Sequence, residues 1–291
     1  MSAFYGFLFR LVGLLPLRWT HALGAVLGKI MLRMSPAYAR ALQANMALAG
    51  YTDVALTEKV IAESGKMVLE WAFLWNRDAA QLLPYGQDRS AVPICQDILK
   101  QGKGIIFLTP HLGCFECTAQ GYAALVGPIT VLYTRPKLPW LQKMIDSGRN
   151  KRNVTLAPAD LSGVRTLMRA LKNGEAIGIL PDQTPREGEG VWAPFFGKPA
   201  YTMTLVQRLH ETFGAPIVLA WGERLPNAAG FTVRAIPFAE PLERDPLAAA
   251  TQLNRALEAV IRTCPEQYLW GYNRYKAPKD AKPQPSQLSA P

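Results

Sequence analysis

The rhythm of apolar positions changes along the chain. From Phe4 to Met34, FYGFLFRLVGLLPLRWTHALGAVLGKIMLRM, apolar residues dominate and only Arg10, Arg18, Lys29 and Arg33 bring charge. Pro16 divides this run into two short helical pieces. Helical spacing continues over Ala37–Ala49 and Leu56–Arg77, the latter carrying Trp71, Phe73 and Trp75 on an apolar face. From residue 104 onward, short β-branched runs alternate with helical segments. The runs predict strands over Gly104–Leu108, Thr130–Thr134, Val154–Ala157, Ala176–Leu180, Pro216–Trp221 and Phe231–Pro237. Between and after them, helices are expected over Phe115–Leu125, Leu138–Arg149, Leu161–Lys172, Met203–Phe213 and Leu247–Arg262. This alternation points to an α/β fold, a central mixed, mostly parallel sheet covered by helices, with antiparallel pairing open to its later strands. Sites in such sheets collect beyond the carboxyl ends of the strands. The closing stretch KAPKDAKPQPSQLSAP is polar and Pro-rich and reads as disordered. The expected organisation is a membrane-associating helical segment over 1–35, an α/β domain over 36–275 and a tail over 276–291.

Charge sharpens the reading of the N-terminal segment. Its apolar runs fall short of the roughly 20 uninterrupted residues that span a bilayer. Charges inside the apolar region also argue against a cleaved signal peptide. At about 100° per residue, Arg18, Lys29 and Arg33 fall within an arc of roughly 60°, apart from Leu23, Val26, Leu27 and Ile30. That arrangement suits a helix lying in the membrane interface with its basic residues among headgroups. The competing expectation is a helix packed on the protein's own core. The whole chain is basic as well, with 32 Lys and Arg against 22 Asp and Glu in 291 residues, which favours anionic partners. Arg135, Lys137, Lys143, Arg149, Lys151 and Arg152 cluster after the second strand and could hold phosphates or an acidic carrier protein. Few aromatics interleave with them, so nucleic acid is not the expected partner.

The chemistry concentrates in GIIFLTPHLGCFEC, residues 104–117. Cys114 and Cys117 have the spacing of a redox dithiol, and with His111 they make three potential zinc ligands. No second ligand pair with metal spacing exists, and the intervening Glu116 would raise a thiol pKa. The four cysteines therefore read as buried thiols, with no metal or other cofactor required. Among three histidines, only His111 follows a predicted strand at the rim where α/β sites form. Glu116, five residues on, could orient and stabilise its imidazole, or it could simply complement the helix N-terminus. Spacing alone leaves both readings open. Nucleophile-elbow, P-loop and dinucleotide fingerprints are absent.

HLGCFE also resembles the H-x-x-x-x-D/E motif of the glycerolipid acyltransferase superfamily, and the chain looks most like the bacterial lipid A biosynthesis (late, secondary) acyltransferases. The resemblance extends through VLYTRPKLPWLQKMIDSGRNKR, AIGILPDQTP, VWAPFFGKPAYTMTLVQRLHETFGAPIV and CPEQYLWGYNRYK. It implies transfer of an acyl group from acyl carrier protein to a hydroxyl of a phosphorylated glycolipid, at the cytoplasmic face of the inner membrane. It assigns His111 as general base, held by Glu116. It carries over Arg149 and Asp182 as substrate-binding positions, with Arg135 beside them. Arg149 would bind phosphate or the developing oxyanion, and Asp182 would orient Arg149 or the acceptor. Since a thioester is already activated, neither metal nor covalent acyl-enzyme is needed. The chain departs from the family pattern at Cys114–Phe115. Acylation of another lipid, or lipid binding without catalysis, are the alternatives, and a thiol oxidoreductase is a third.

Overall fold

A computed structural model describes residues 2–279 apart from 87, 137 and 150. Four helices come first: α1 (Ser2–Gly13), α2 (Leu17–Met34), α3 (Pro36–Leu48) and α4 (Val54–Trp75). Pro16 is the N-cap of α2, so the break between the first two helices falls where a residue without an N–H dictates it. Ser35 and Asp53 accept backbone N–H groups of the first turns of α3 and α4. α2 crosses α4 at glycine distance: a Cβ on Gly65 would stand 1.9 Å from the Gly24 carbonyl oxygen and 2.4 Å from the Gly28 nitrogen. The opposite side of α2 leaves Trp19, Leu23, Val26 and Ile30 exposed. α2 thus packs on the protein by its small-residue face while keeping an apolar outer face. Among the described residues, no helix is long and apolar enough to cross a membrane.

Two helices, α5 (Ala79–Leu82) and α6 (Ala91–Leu99), lead into the alternating region. There follow β1 (Ile105–Leu108), α7 (Glu116–Leu125), β2 (Ile129–Tyr133), α8 (Pro139–Arg149), β3 (Val154–Pro158), α9 (Leu161–Lys172) and β4 (Ala176–Ile179). The chain continues with β5 (Gly190–Phe195), β6 (Lys198–Met203), α10 (Leu205–Phe213), β7 (Ile217–Arg224), β8 (Phe231–Pro237) and α11 (Pro246–Ile261). Six strands form one mixed sheet in the order β3-β2-β4-β1-β7-β8, parallel except for β8 on the β7 edge. Both faces are covered. Ile106, Leu108, Ile177 and Ile179 point into a core shared with α9, α10 and α11, while Ile105, Phe107 and Ala176 meet α6 and α7 on the other side. The alternation in-and-out along each buried strand assigns these sides.

The β5–β6 hairpin and helices α5 and α6 were not anticipated. Pro194 and Pro199 sit opposite each other in the hairpin, a residue type that argues against a strand, and its turn is Phe196-Gly197 with both residues at positive φ. The expected disordered tail falls mostly on 280–291, outside the described residues. Before it, residues 265–276 pack back across the site: Leu269 N–H donates to the His111 carbonyl at 3.0 Å, and Asn45 donates to the carbonyls of Trp270 and Tyr272.

Candidate functional site

β1 and β4 are neighbouring parallel strands, with Leu108 paired to Ile179. His111 lies three residues beyond Leu108, and Asp182 three beyond Ile179, so the register alone carries the two side chains to the same level past the sheet. They meet there. His111 donates its backbone N–H to Asp182 Oδ2 and shares its Nδ1 with Oδ1, each at 2.8 Å. A carboxylate at Nδ1 fixes the tautomer: the proton sits on Nδ1 and Nε2 is left as the acceptor. Gln183 Nε2 lies 3.2 Å from that Nε2, as a donor to it. Burial pushes the Asp182 carboxyl up, but the charge and hydrogen bonds of His111 outweigh this and hold it below the usual carboxylate range. Gly113 lets the loop that carries His111 close on β7: at φ +59°, its missing Cβ would lie 2.1 Å from the Gly222 carbonyl oxygen.

Glu116 goes elsewhere. It opens α7, and its carboxylate accepts Trp75 Nε1 at 3.1 Å and Arg149 Nε at 3.1 Å, with Arg149 Nη2 on its other oxygen. The expectation that Glu116 holds the imidazole therefore gives way to two separate pairs, His111 with Asp182 and Glu116 with Arg149. The reason is topological: a helix-start side chain faces the helices packed beside it, here α4 and α8, whereas the neighbouring strand end supplies the imidazole's partner. Gly148 in α8 lets that helix close on the Trp75 ring, where a Cβ would lie 2.4 Å from it, and this brings Arg149 to Glu116. The expected link from Asp182 to Arg149 or to an acceptor is likewise replaced, since Asp182 is buried with both oxygens on His111.

His111, Glu116 and Arg149 line one cavity of about 1980 Å³, with Asp182 behind the imidazole. Its polar lining includes His111, Gln183, Glu116 and Arg149, together with Lys151 and Arg152. Its interior runs under α7 along the sheet, past Phe107, Ile129, Val131 and Ala220. Trp71 Nε1 and Gln120 Nε2, both on its wall, are buried donors without a partner among the described residues. Arg135 is exposed and outside the cavity wall, with its charge acting on Asp160.

The sequence profile of the bacterial lipid A biosynthesis acyltransferases matches residues 2–277. The chain belongs to that family. It is 26% identical to the lipid A biosynthesis lauroyltransferase of Escherichia coli K12 over 94% of this chain and 90% of the relative. The palmitoleoyltransferase of the same organism is 25% identical over 75% of this chain and 72% of its own. The myristoyltransferase is 21% identical over 79% and 71%, respectively.

Other features of this lipid A acyltransferase family member were only partly legible. The closing CPEQYLWGYNRYK stretch carried the resemblance without a role, and the structure gives it one: Tyr268 bridges to Leu112, and buried Arg274 donates to the Tyr201 carbonyl at 2.7 Å and Thr202 Oγ1 at 2.8 Å. Cys114 is buried and its N–H is held by the Gly222 carbonyl, while burial keeps its thiol well above the usual range. Among the described residues, no group of three His, Cys, Asp or Glu side chains gathers as a metal site. A buried ionic network beneath the site was missed entirely. Arg224 on β7 reaches Glu70 Oε1 and Oε2 at 2.5 and 2.7 Å and Glu63 at 2.6 Å, and His21 of α2 meets Glu70 at 2.7 Å. Glu70 sits in the middle of the helix α4, where no local pattern distinguishes it from a solvated charge.

Proposed function

We propose that the protein transfers a fatty acyl group from acyl carrier protein to a hydroxyl of a lipid A precursor. The observation that carries this reading is a single cavity that joins an imidazole whose Nε2 is the acceptor nitrogen to a long apolar space. His111 Nε2 takes the proton of the acceptor hydroxyl as its oxygen attacks the thioester carbonyl. Asp182 holds the Nδ1–H and balances the imidazolium charge. When the tetrahedral intermediate collapses, the C–S bond breaks and the same proton passes from Nε2 to the departing thiolate. Positioned acid–base help of this kind contributes about 10²–10⁴-fold to rate.

Glu116 uses two donors of Arg149 and fixes the plane of the guanidinium. The remaining N–H groups, with no hydrogen-bond partner among the described residues, can take an acceptor phosphate or the developing oxyanion. The relatives are named for lauroyl, palmitoleoyl and myristoyl transfer, which supports a fatty acyl donor here. Basic side chains in the cavity lining, Arg149, Lys151 and Arg152 among them, favour an acidic carrier protein and a phosphorylated lipid. The exposed apolar face of α2, with Arg18, Lys29 and Arg33 beside it, gives peripheral attachment at the inner-membrane surface. In the test, purified protein is incubated with a lauroyl or myristoyl carrier protein and a tetra-acylated lipid A precursor and read by mass spectrometry. A product one acyl group heavier is expected, and an unmodified acceptor across donor chain lengths would contradict the reading.

A further inference from the structure

Most close-packed glycines of this chain are explained by what surrounds them. A Cβ on Gly65, Gly113 or Gly148 would collide with backbone or an indole ring below 3 Å. Gly178 is different. It lies buried in β4, in the middle of the sheet, with a backbone outside the left-handed region. A Cβ there would meet only side chains at ordinary contact distance, Val131 Cγ2 at 3.5 Å and Ile129 Cδ1 at 3.6 Å. Neither conformation nor packing calls for glycine, and glycine weakens a strand interior. Its open side faces the cavity.

We propose that Gly178 sets how deep an acyl chain can run beneath α7, and so selects chain length; this rests on the acyltransferase reading above. Gly178 pairs in register with Phe107 on β1 and Val131 on β2, and all three line the cavity. Together they form a slot whose floor lacks a side chain at its centre. The slot belongs to the same cavity as His111, so a chain whose carbonyl sits at Nε2 has an apolar route toward it. From His111 back to Phe107 is four residues of β1 and its exit, about 13 Å at roughly 3.3 Å per residue. An extended alkyl chain built from bonds of about 1.5 Å advances roughly 1.3 Å per bond, so about ten carbons reach the Gly178 level. Longer chains must lie across Gly178, and shorter ones end before it.

The test uses the full chain with Gly178→Ala and Gly178→Val. Free saturated fatty acids of graded length (octanoate to palmitate) are titrated by calorimetry, and carrier-protein donors of the same lengths are assayed for transfer. Wild type is expected to bind the longer acids more tightly. Gly178→Val should leave octanoate within about twofold and weaken myristate and palmitate by tenfold or more, since each methylene denied burial costs about fourfold. Gly178→Ala should shift the same ladder less, with no fall in melting temperature. A lowered melting temperature in Gly178→Ala would show that the glycine serves packing and would overturn the proposal. An unchanged or uniformly weakened ladder, or a wild type that binds no fatty acid, would overturn it too. Fatty acids bound in the expected ladder but never transferred would refute the acyltransferase reading and leave the slot standing.

Discussion

Replacing Asp182 with Asn probes the site at the contact that sequence reasoning missed. The substitution keeps size and shape at a buried carboxylate that holds His111 through both oxygens and also hydrogen-bonds the Tyr268 side chain. Two changes follow from the geometry. Asp182 now accepts two N–H groups of His111, one from the backbone and one from Nδ1, each at 2.8 Å. An amide has one acceptor oxygen, so its NH₂ must face one of these donors or force the proton from Nδ1 to Nε2. The second outcome blocks the lone pair needed to deprotonate the acceptor. The imidazolium formed in the transition state also loses its counter-charge, worth roughly 1.5–3 kcal/mol for a hydrogen bond to a charged group. That term alone is about 10–150-fold in rate, and the inverted tautomer takes the expected fall in kcat to about 10²–10⁴-fold. KM should barely change, because Asp182 touches no cavity-facing atom other than those of His111. Steady-state kinetics with mass-spectrometric product counting, beside thermal melting, supplies the assay. A folded Asp182→Asn enzyme with kcat within about fivefold of wild type would refute the positioning role.

Other expectations follow from the same contacts. Glu116→Gln and Arg149→Lys should each lower kcat/KM by about 10–100-fold, and the double variant should cost little more than either, since both break one charge-assisted fork; additive losses would separate the two residues. Burial alone would raise the Glu70 carboxyl, but Arg224 and His21 outweigh it and hold it at about 2 against an ordinary 4.5. A lowered carboxylate stabilises the fold above the ordinary value, so roughly 3 kcal/mol should be lost as pH falls from 4.5 toward 2. Urea unfolding across that window should show the slope in wild type and a flattened one in Glu70→Gln, and equal slopes would exclude Glu70 as its source. Leu23→Asp with Ile30→Asp, on the exposed face of α2, should weaken binding to anionic vesicles by about 10²-fold or more through lost apolar burial. Unchanged co-sedimentation would remove α2 from the membrane contact.

How much of this was legible depended on the range of the interaction. The strands of the main sheet declared themselves as β-branched runs, most clearly β1 and β4, because a strand buried on both faces must be apolar throughout. The placement of His111 at a strand exit was legible for the same reason. Its partner was not: Glu116 is five residues away and Asp182 is 71, and only the strand order, which puts β4 beside β1, makes the distant one the neighbour. Arg149 shows the converse, since its pairing with Glu116 depends on Gly148 admitting the Trp75 ring, a contact between α8 and α4 that no local pattern records. The Glu63–Glu70–Arg224–His21 network stayed hidden because mid-helix carboxylates look alike whether solvated or buried.

The central claim is that His111 is the base of an acyl transfer, and a single-turnover comparison tests it most directly. Wild type and His111→Ala would each be mixed in excess with one acyl carrier protein donor and the lipid A precursor, and the transferred acyl group counted against time. A loss of about 10²–10⁴-fold in the His111→Ala rate, with melting temperature retained, is the predicted result. Transfer by His111→Ala at the wild-type rate would contradict it.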